Sequence, residues 1–165
     1  MYDSERNIAV RRNERFYFIF VFSGYHLFIK DDKAPVYCLE KEVSDEKLGE
    51  TINLAFSQCR TIHPYENEEF YNKEKINEDY KLWVSELLTK CQFKNKKALF
   101  LRMMTCNLKK HNNEILIKPM WHKKLEIWTR DGFTDDDNII LPQTVSNEEL
   151  GKAVKEGMSR CRNSV

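Results

Sequence analysis

The strongest constraint on this fold is a stretch of 17 residues that occurs twice. Residues 44–60 read SDEKLGETINLAFSQCR and residues 146–162 read SNEELGKAVKEGMSRCR, at an offset of 102 positions and without gaps. Seven positions are identical: Ser44/Ser146, Glu46/Glu148, Leu48/Leu150, Gly49/Gly151, Ser57/Ser159, Cys59/Cys161 and Arg60/Arg162. The repeat predicts two related half-units within one chain.

Each copy has the pattern of a capped amphipathic helix. Ser44 and Ser146 precede the first turn, where a serine oxygen can accept from free backbone N–H groups. Apolar residues follow at helical spacing, at 48, 52, 55, 56 and 59 and at 150, 154, 158 and 161. Gly49 and Gly151 each cost a helix about 1 kcal/mol relative to alanine. Their presence in both copies predicts that each helix backbone lies close to another element, most simply the sheet beneath it.

The segments that precede the two helices predict β-structure. In residues 6–40, the run Phe16–Phe22 is aromatic and β-branched, which fits a strand buried on both faces. Residues 98–142 also have strand character, beginning with a predicted strand over Ala98–Cys106. Between these regions, apolar side chains at helical spacing predict a helix over 76–91.

These elements predict a single α+β domain over residues 1–165. Its duplicated half-units of antiparallel strands plus a helix span about 6–60 and 98–162, and the insertion 61–97 carries a third helix. The strands form either two sheets or one large curved sheet, covered by the repeated helices. The length is that of one ordinary domain.

The composition offers little for catalysis, metal binding or membrane insertion. The five glycines are not clustered, and the four histidines lack ligand spacing. Cys59 and Cys161 lie on the apolar stripes of their helices, which favours small buried hydrophobes over a redox pair. We therefore expect a protein that is not an enzyme, with no metal and no cofactor.

The longest apolar run has 7 residues, whereas a membrane span needs about 20. Five cysteines without a C-x-x-C pair favour a cytoplasmic location.

Charge is segregated along the chain although the net charge is only +1. Residues 90–124 hold ten Lys/Arg and one acid, whereas residues 125–148 hold six acids and one Arg. Residues 64–80 hold six acids and two Lys. Such patches suit electrostatic docking to a charged partner.

Two acidic groups lie outside the repeat and are the candidate binding residues. In the first, acids that can steer a partner adjoin aromatic rings that can anchor it. The second is an aspartate run between two predicted strands. The candidates are Glu66, Glu68, Glu69, Phe70, Tyr71, Asp135, Asp136 and Asp137. The alternative for both segments is an ordinary solvated loop.

The repeated motif resembles that of contact-dependent growth inhibition (CDI) immunity proteins. The resemblance covers about half of the chain and rests on Ser44–Arg60, Asp131–Phe133, Ile139–Pro142, Ser146–Gly151 and Ser159–Arg162. It implies a cytoplasmic protein that binds and neutralises the cognate CDI toxin C-terminal domain, often a nuclease, by occluding its active site or substrate surface. Each immunity protein of this family matches its own toxin, so the resemblance transfers no contact residues.

The strands–helix plan that occurs twice is also similar to the Whirly single-stranded DNA-binding fold. A single-stranded nucleic-acid-binding module, which would use the basic segment 94–124, is therefore the alternative function. Lysines on predicted strands also protect sheet edges, and the near-zero net charge does not favour nucleic acid. An enzyme site assembled from distant residues is a third possibility, and a buried carboxylate or histidine in a deep polar pocket would be its sign.

Overall fold

The computed structural model describes residues 4–165, which form ten strands, four helices and two 3-10 turns. The strands are β1 (Arg6–Arg12), β2 (Phe16–Tyr25), β3 (Leu27–Lys30), β4 (Tyr37–Glu40), β5 (Met104–His111), β6 (Glu114–Pro119), β7 (Trp121–Lys124), β8 (Ile127–Thr129), β9 (Ile139–Pro142) and β10 (Arg162–Asn163). The helices are α1 (Asp45–Ser57), α2 (Lys73–Lys90), α3 (Lys96–Phe100) and α4 (Asn147–Ser159), with 3-10 turns at Glu69–Tyr71 and Asp135–Asp137.

Seven antiparallel strands form one main sheet. Its order is β3-β2-β1-β5-β6-β9, and β4 pairs with the other half of β2. The β1–β5 pair, with Val10 opposite Cys106, joins the strands of the two half-units into a single sheet. A smaller sheet has the order β10-β7-β8. The chain is thus an α+β protein, in which one large sheet is accompanied by a second sheet of three strands.

The two repeated helices occupy equivalent positions on one face of this sheet. The Ser44 and Ser146 hydroxyls accept hydrogen bonds of 3.1 Å from the backbone N–H groups of Lys47 and Glu149, as the capping pattern predicts. Cys59 donates to a backbone carbonyl of β1 and Cys161 to one of β5, both at 3.3 Å. The core beneath the helices includes Tyr17, Ile19, Ile52, Phe56, Leu108, Ile117, Val154 and Met158. The repeat in sequence is therefore also a repeat of contacts.

The two repeated glycines contact the opposite helix rather than the sheet. A Cβ atom on Gly49 would lie 1.8 Å from the backbone oxygen of Asn147 in α4, and a Cβ on Gly151 would lie 1.8 Å from that of Asp45 in α1. The prediction that these glycines approach the sheet is therefore wrong. They allow the first turns of α1 and α4 to touch, because each helix packs against its counterpart as well as against the strands.

The opposite face of the sheet is covered by α2 and α3. Phe18 and Phe20 of β2 are buried against Trp83 of α2 and Phe100 of α3, whereas Tyr17 and Ile19 point to the face of α1 and α4. Side chains alternate between the two faces of a strand, so β2 is buried on both sides, as its composition predicts.

The predicted strand Ala98–Cys106 is wrong in its first half. Residues 96–100 form helix α3, and β5 begins only at Met104. The Asn95 side chain accepts from the backbone N–H of Ala98 at 2.9 Å and starts a helical turn. That turn buries Leu99 and Phe100 completely beneath α2. The tertiary burial of two apolar side chains outweighs the local strand pattern.

Candidate functional site

The first acidic group lies on a loop that is fixed to the end of β2. The backbone N–H of Ile62 donates to the Gly24 carbonyl at 3.2 Å, and the Tyr71 hydroxyl accepts from the N–H of Tyr25 at 3.1 Å. Glu66 and Glu68 are exposed between these two anchors. Glu69 is also exposed and lies 3.7 Å from Lys75 Nζ of α2. The loop therefore presents carboxylates on a well-supported backbone.

The two aromatic residues of this group do not project into solvent. Phe70 is only 5% exposed, and its ring packs edge-on against Tyr71 at a centroid distance of 5.0 Å. Tyr71 is half-buried and uses its hydroxyl to hold the loop on β2. Phe70 belongs to the wall of a cleft rather than to a free surface.

The aspartate run forms a 3-10 turn rather than an irregular loop. The Thr134 hydroxyl accepts from the N–H of Asp136 at 3.3 Å, and Asp137 Oδ2 accepts from the N–H of Thr134 at 2.8 Å. Arg160 donates to the Asp137 carbonyl at 3.0 Å. The carboxylate of Asp137 therefore caps its own turn, whereas Asp135 and Asp136 are exposed.

The structure does not bring the two acidic groups together. The Glu66–Glu69 segment adjoins β2 and β3 at one edge of the main sheet, and Asp135–Asp137 directly precedes β9 at the other. Five strand spacings of about 4.8 Å place these edges roughly 20–25 Å apart. They are two separate patches, and a partner has to be large to reach both.

A cleft of about 450 Å³ opens on the α2 side of the main sheet. Its walls are mainly apolar and include Phe20, Phe22, Phe70, Trp83, Ile127 and Trp128. Two of its sides are edge strands, since β3 pairs only with β2 and β8 only with β7 within residues 4–165. Edge strands carry unpaired backbone N–H and C=O groups. Sequence reasoning missed this cleft, although one of its walls is the candidate residue Phe70.

Charged side chains ring the apolar walls, and most of them are paired. Salt bridges join Lys30 to Asp79 at 3.3 Å, Lys75 to Asp32 at 3.3 Å, and Lys96 to Glu126 at 3.0 Å. The Tyr80 hydroxyl also donates to Glu126. Burial and this carboxylate acceptor raise the pKa of Tyr80, so it stays protonated and keeps donating.

Arg11 lies at the aromatic end of the cleft. Its guanidinium carbon is 4.9 Å from the ring centroid of Phe20 and 4.7 Å from that of Trp128. Burial lowers the pKa of Arg11 to about 10, so the side chain remains a cation at neutral pH.

The described residues offer no grouping typical of a catalytic or metal site. Residues 4–165 contain no cluster of three or more His, Cys, Asp or Glu side chains that could hold a metal ion. His122 is buried, its Nε2 lies 2.8 Å from the Leu125 carbonyl oxygen, and its ring stacks on Trp128. Burial lowers the pKa of His122, which favours the neutral ring. Burial raises the pKa of the Cys59 thiol to about 11, so it is a poor nucleophile.

No helix within residues 4–165 has the length and apolar character needed to cross a membrane.

Comparison with known proteins points to one family. The family model described as CdiI, the CDI immunity protein, matches residues 6–161. Immunity protein CdiI-YPIII of Yersinia pseudotuberculosis serotype O:3 is 30% identical over 166 residues, covering 93% of this chain and 94% of that protein.

Two solved structures share the fold over almost the whole chain. A protein of unknown function, NMB0488 from Neisseria meningitidis, superposes with a TM-score of 0.90 at 32% identity and covers 98% of both chains. A CdiA-CT/CdiI toxin and immunity complex from Yersinia pseudotuberculosis gives a TM-score of 0.89 at 30% identity, covering 98% of this chain and all of the other. The sequence resemblance, the α+β architecture and the near-complete family match agree, and this chain belongs to the CDI immunity protein family.

Proposed function

We propose that this protein binds and neutralises the cognate C-terminal toxin domain of a CDI effector by occluding its active site or substrate surface. The toxin in this proposal is a nuclease, and the encounter takes place in the cytoplasm. Inhibition is stoichiometric and needs no catalysis by the immunity protein. The observation that carries the proposal is the likeness to an immunity protein solved together with its toxin, at a TM-score of 0.89.

The exposed acids supply the electrostatic part of this function. Glu66, Glu68, Asp135 and Asp136 are exposed, and none of them forms a salt bridge within residues 4–165. A nuclease binds phosphates with basic side chains, so its substrate surface is complementary to these carboxylates. The separation of the two patches is compatible with one partner. A standard interface of about 800 Å² per side is roughly 30 Å across.

The cleft supplies the apolar part. A strand from a partner can pair with an open sheet edge while its side chains enter adjacent pockets, and both β3 and β8 present such edges to this cleft. We assign the cleft to a segment of the toxin domain. Phe70 lines the cleft and directly follows the acidic residues, which links the Glu66–Glu69 patch to the same interface.

Neutralising either acidic patch is expected to weaken toxin binding by about tenfold at low salt, with most of the difference lost at high salt. The variants are Glu66→Gln with Glu68→Gln, and Asp135→Asn with Asp136→Asn, measured by calorimetric titration against the toxin domain. The matched control is Glu148→Gln with Glu149→Gln, two exposed acids at the start of α4.

The control pair is expected to bind within about threefold of the wild type. A test pair that behaves like the control would remove that patch from the interface. Failure of the wild-type protein to bind its toxin domain would count against the proposed function itself.

A further inference from the structure

Within the described part of the chain, one cation of the cleft has no anionic partner. The three carboxylates in the walls, Asp32, Asp79 and Glu126, each have a lysine within 3.3 Å. Arg11 also lines the cleft but takes part in no salt bridge within residues 4–165. Its Nε atom is buried and has no hydrogen-bond partner among the residues that the structure describes. The ion pairs of the cleft therefore leave a single positive charge over.

A second unpartnered polar atom lies beside this arginine. Thr105 of β5 is directly opposite Arg11 of β1 in the sheet register. Thr105 is 2% exposed, its hydroxyl oxygen is buried without a partner, and it lines the same cleft. Two neighbouring side chains thus bring hydrogen-bonding groups to one wall without using them inside the protein.

Folding alone does not explain this arrangement. Buried polar groups are nearly always hydrogen-bonded, and each exception calls for an explanation. Arg11 is half-buried, and partial withdrawal of a charge from water without a counter-ion is unfavourable. The contacts with Phe20 and Trp128 recover only part of that cost, since cation–π contacts are individually modest. The two ring centroids lie 4.9 and 4.7 Å from the guanidinium carbon, and contacts of this kind provide no acceptor atom for the guanidinium N–H donors.

We propose that Arg11, assisted by the Thr105 hydroxyl, receives a carboxylate carried by the toxin segment that enters the cleft. This inference rests on the proposed function. It adds which chemical group of the toxin segment contacts the floor of the cleft. A carboxylate matches the guanidinium edge in two parallel hydrogen bonds. A phosphate monoester carries nearly two negative charges at neutral pH, whereas the ion pairs of the cleft leave one positive charge, so a carboxylate matches the charge of the cleft better. The ion pair between this carboxylate and Arg11 would fix the position of the inserted segment. The carboxylate can reach the guanidinium in only one position of the segment along the cleft.

The test compares Arg11→Met, Arg11→Lys and Thr105→Val with the wild type in toxin affinity and in melting temperature. Methionine keeps much of the apolar stem and removes the charge. We expect Arg11→Met to weaken binding at least about 30-fold, with a melting temperature equal to or above that of the wild type. Arg11→Lys keeps the charge without the planar fork and should lose about tenfold. Thr105→Val should lose about threefold to tenfold without a loss of stability.

Arg15→Met is the matched control. Arg15 also lies over two rings, 5.1 Å from Phe16 and 4.5 Å from Phe93, but it donates to the Cys91 carbonyl at 2.8 Å and lies outside the cleft. Its replacement should lower the melting temperature and leave toxin affinity within about threefold. Substitution of each acidic residue of the toxin by its amide should then identify one change that weakens the wild type but not Arg11→Met.

Three outcomes would overturn the proposal. Toxin affinity of Arg11→Met equal to that of the wild type would show that the arginine is only structural. In a second outcome, millimolar benzoate stabilises the wild type but not Arg11→Met, and the two proteins bind the toxin with equal affinity. That result would assign the site to a small carboxylate instead. If the wild type does not bind the toxin, both the proposed function and this inference fail. In the first two outcomes the wild type still binds the toxin, so the proposed function stands.

Discussion

Replacing Gly49 with alanine is expected to destabilise the protein by about 2–4 kcal/mol. The new methyl group would lie 1.8 Å from the backbone oxygen of Asn147 and 2.6 Å from its carbonyl carbon. Backbone atoms in the first turn of a helix cannot rotate away, so α1 and α4 would have to separate. Gly151→Ala should have a similar effect through the backbone of Asp45. Urea denaturation of the purified variants measures both changes.

Gly157→Ala is the control within the same pair of helices. A Cβ atom there would meet side chains instead, Cγ2 of Ile117 at 2.9 Å and Sγ of Cys106 at 3.3 Å. Overpacking against these buried side chains costs about 1–3 kcal/mol, and alanine improves the helix propensity of α4 by about 1 kcal/mol. We expect a net loss of about 0–2 kcal/mol, smaller than that of Gly49→Ala. If Gly49→Ala and Gly151→Ala are as stable as Gly157→Ala, the contact between the two repeated helices is not the reason for their glycines.

Replacing Ile127 with glutamate is expected to weaken toxin binding at least about 100-fold. Ile127 lies on the edge strand β8, lines the cleft and is 50% exposed in the free protein. An inserted toxin segment would cover the new carboxylate, and a buried charge without a partner is heavily penalised. The stability of the free protein should change little, because the side chain is already half in solvent. Calorimetric titration gives the affinity, and thermal denaturation gives the stability.

Leu82→Glu is the matched control for this variant. Leu82 of α2 is 58% exposed and does not line the cleft. The same apolar-to-acidic change on the solvent side of α2 should leave toxin affinity within about threefold. Equal losses in the two variants would show that general charge, and not the cleft, controls binding.

The repeat made much of the fold predictable, because it carries its own structural signals. Serine caps and apolar stripes at 44–60 and 146–162 are sufficient to place α1 and α4, and they also imply that the two helices have equivalent surroundings. The contact partner of Gly49 was not predictable, since a glycine indicates a close approach without identifying the neighbour. The short helix α3 was missed because its start depends on one side-chain cap at Asn95 and its stability on burial beneath α2.

The candidate site was also predictable only in part. The sequence alone reveals the acidic residues, but it does not show which carboxylates are left without a partner inside the protein. Asp137 is committed to its own cap, and the ring of Phe70 is buried. The cleft has no signature in the sequence because its walls come from separate strands and from α2. Within residues 4–165, Arg11 is unpaired because lysines from other elements reach the carboxylates of the cleft. The alternation of residues along a strand does not predict which lysine pairs with which carboxylate.

A titration of toxin activity shows directly whether this protein is a stoichiometric inhibitor. The cognate toxin domain of the proposed function is incubated with nucleic acid and increasing amounts of the immunity protein, and the cleavage rate is measured. We expect cleavage to fall linearly and to reach background at about one molar equivalent. Full cleavage in the presence of an excess of folded immunity protein would contradict it.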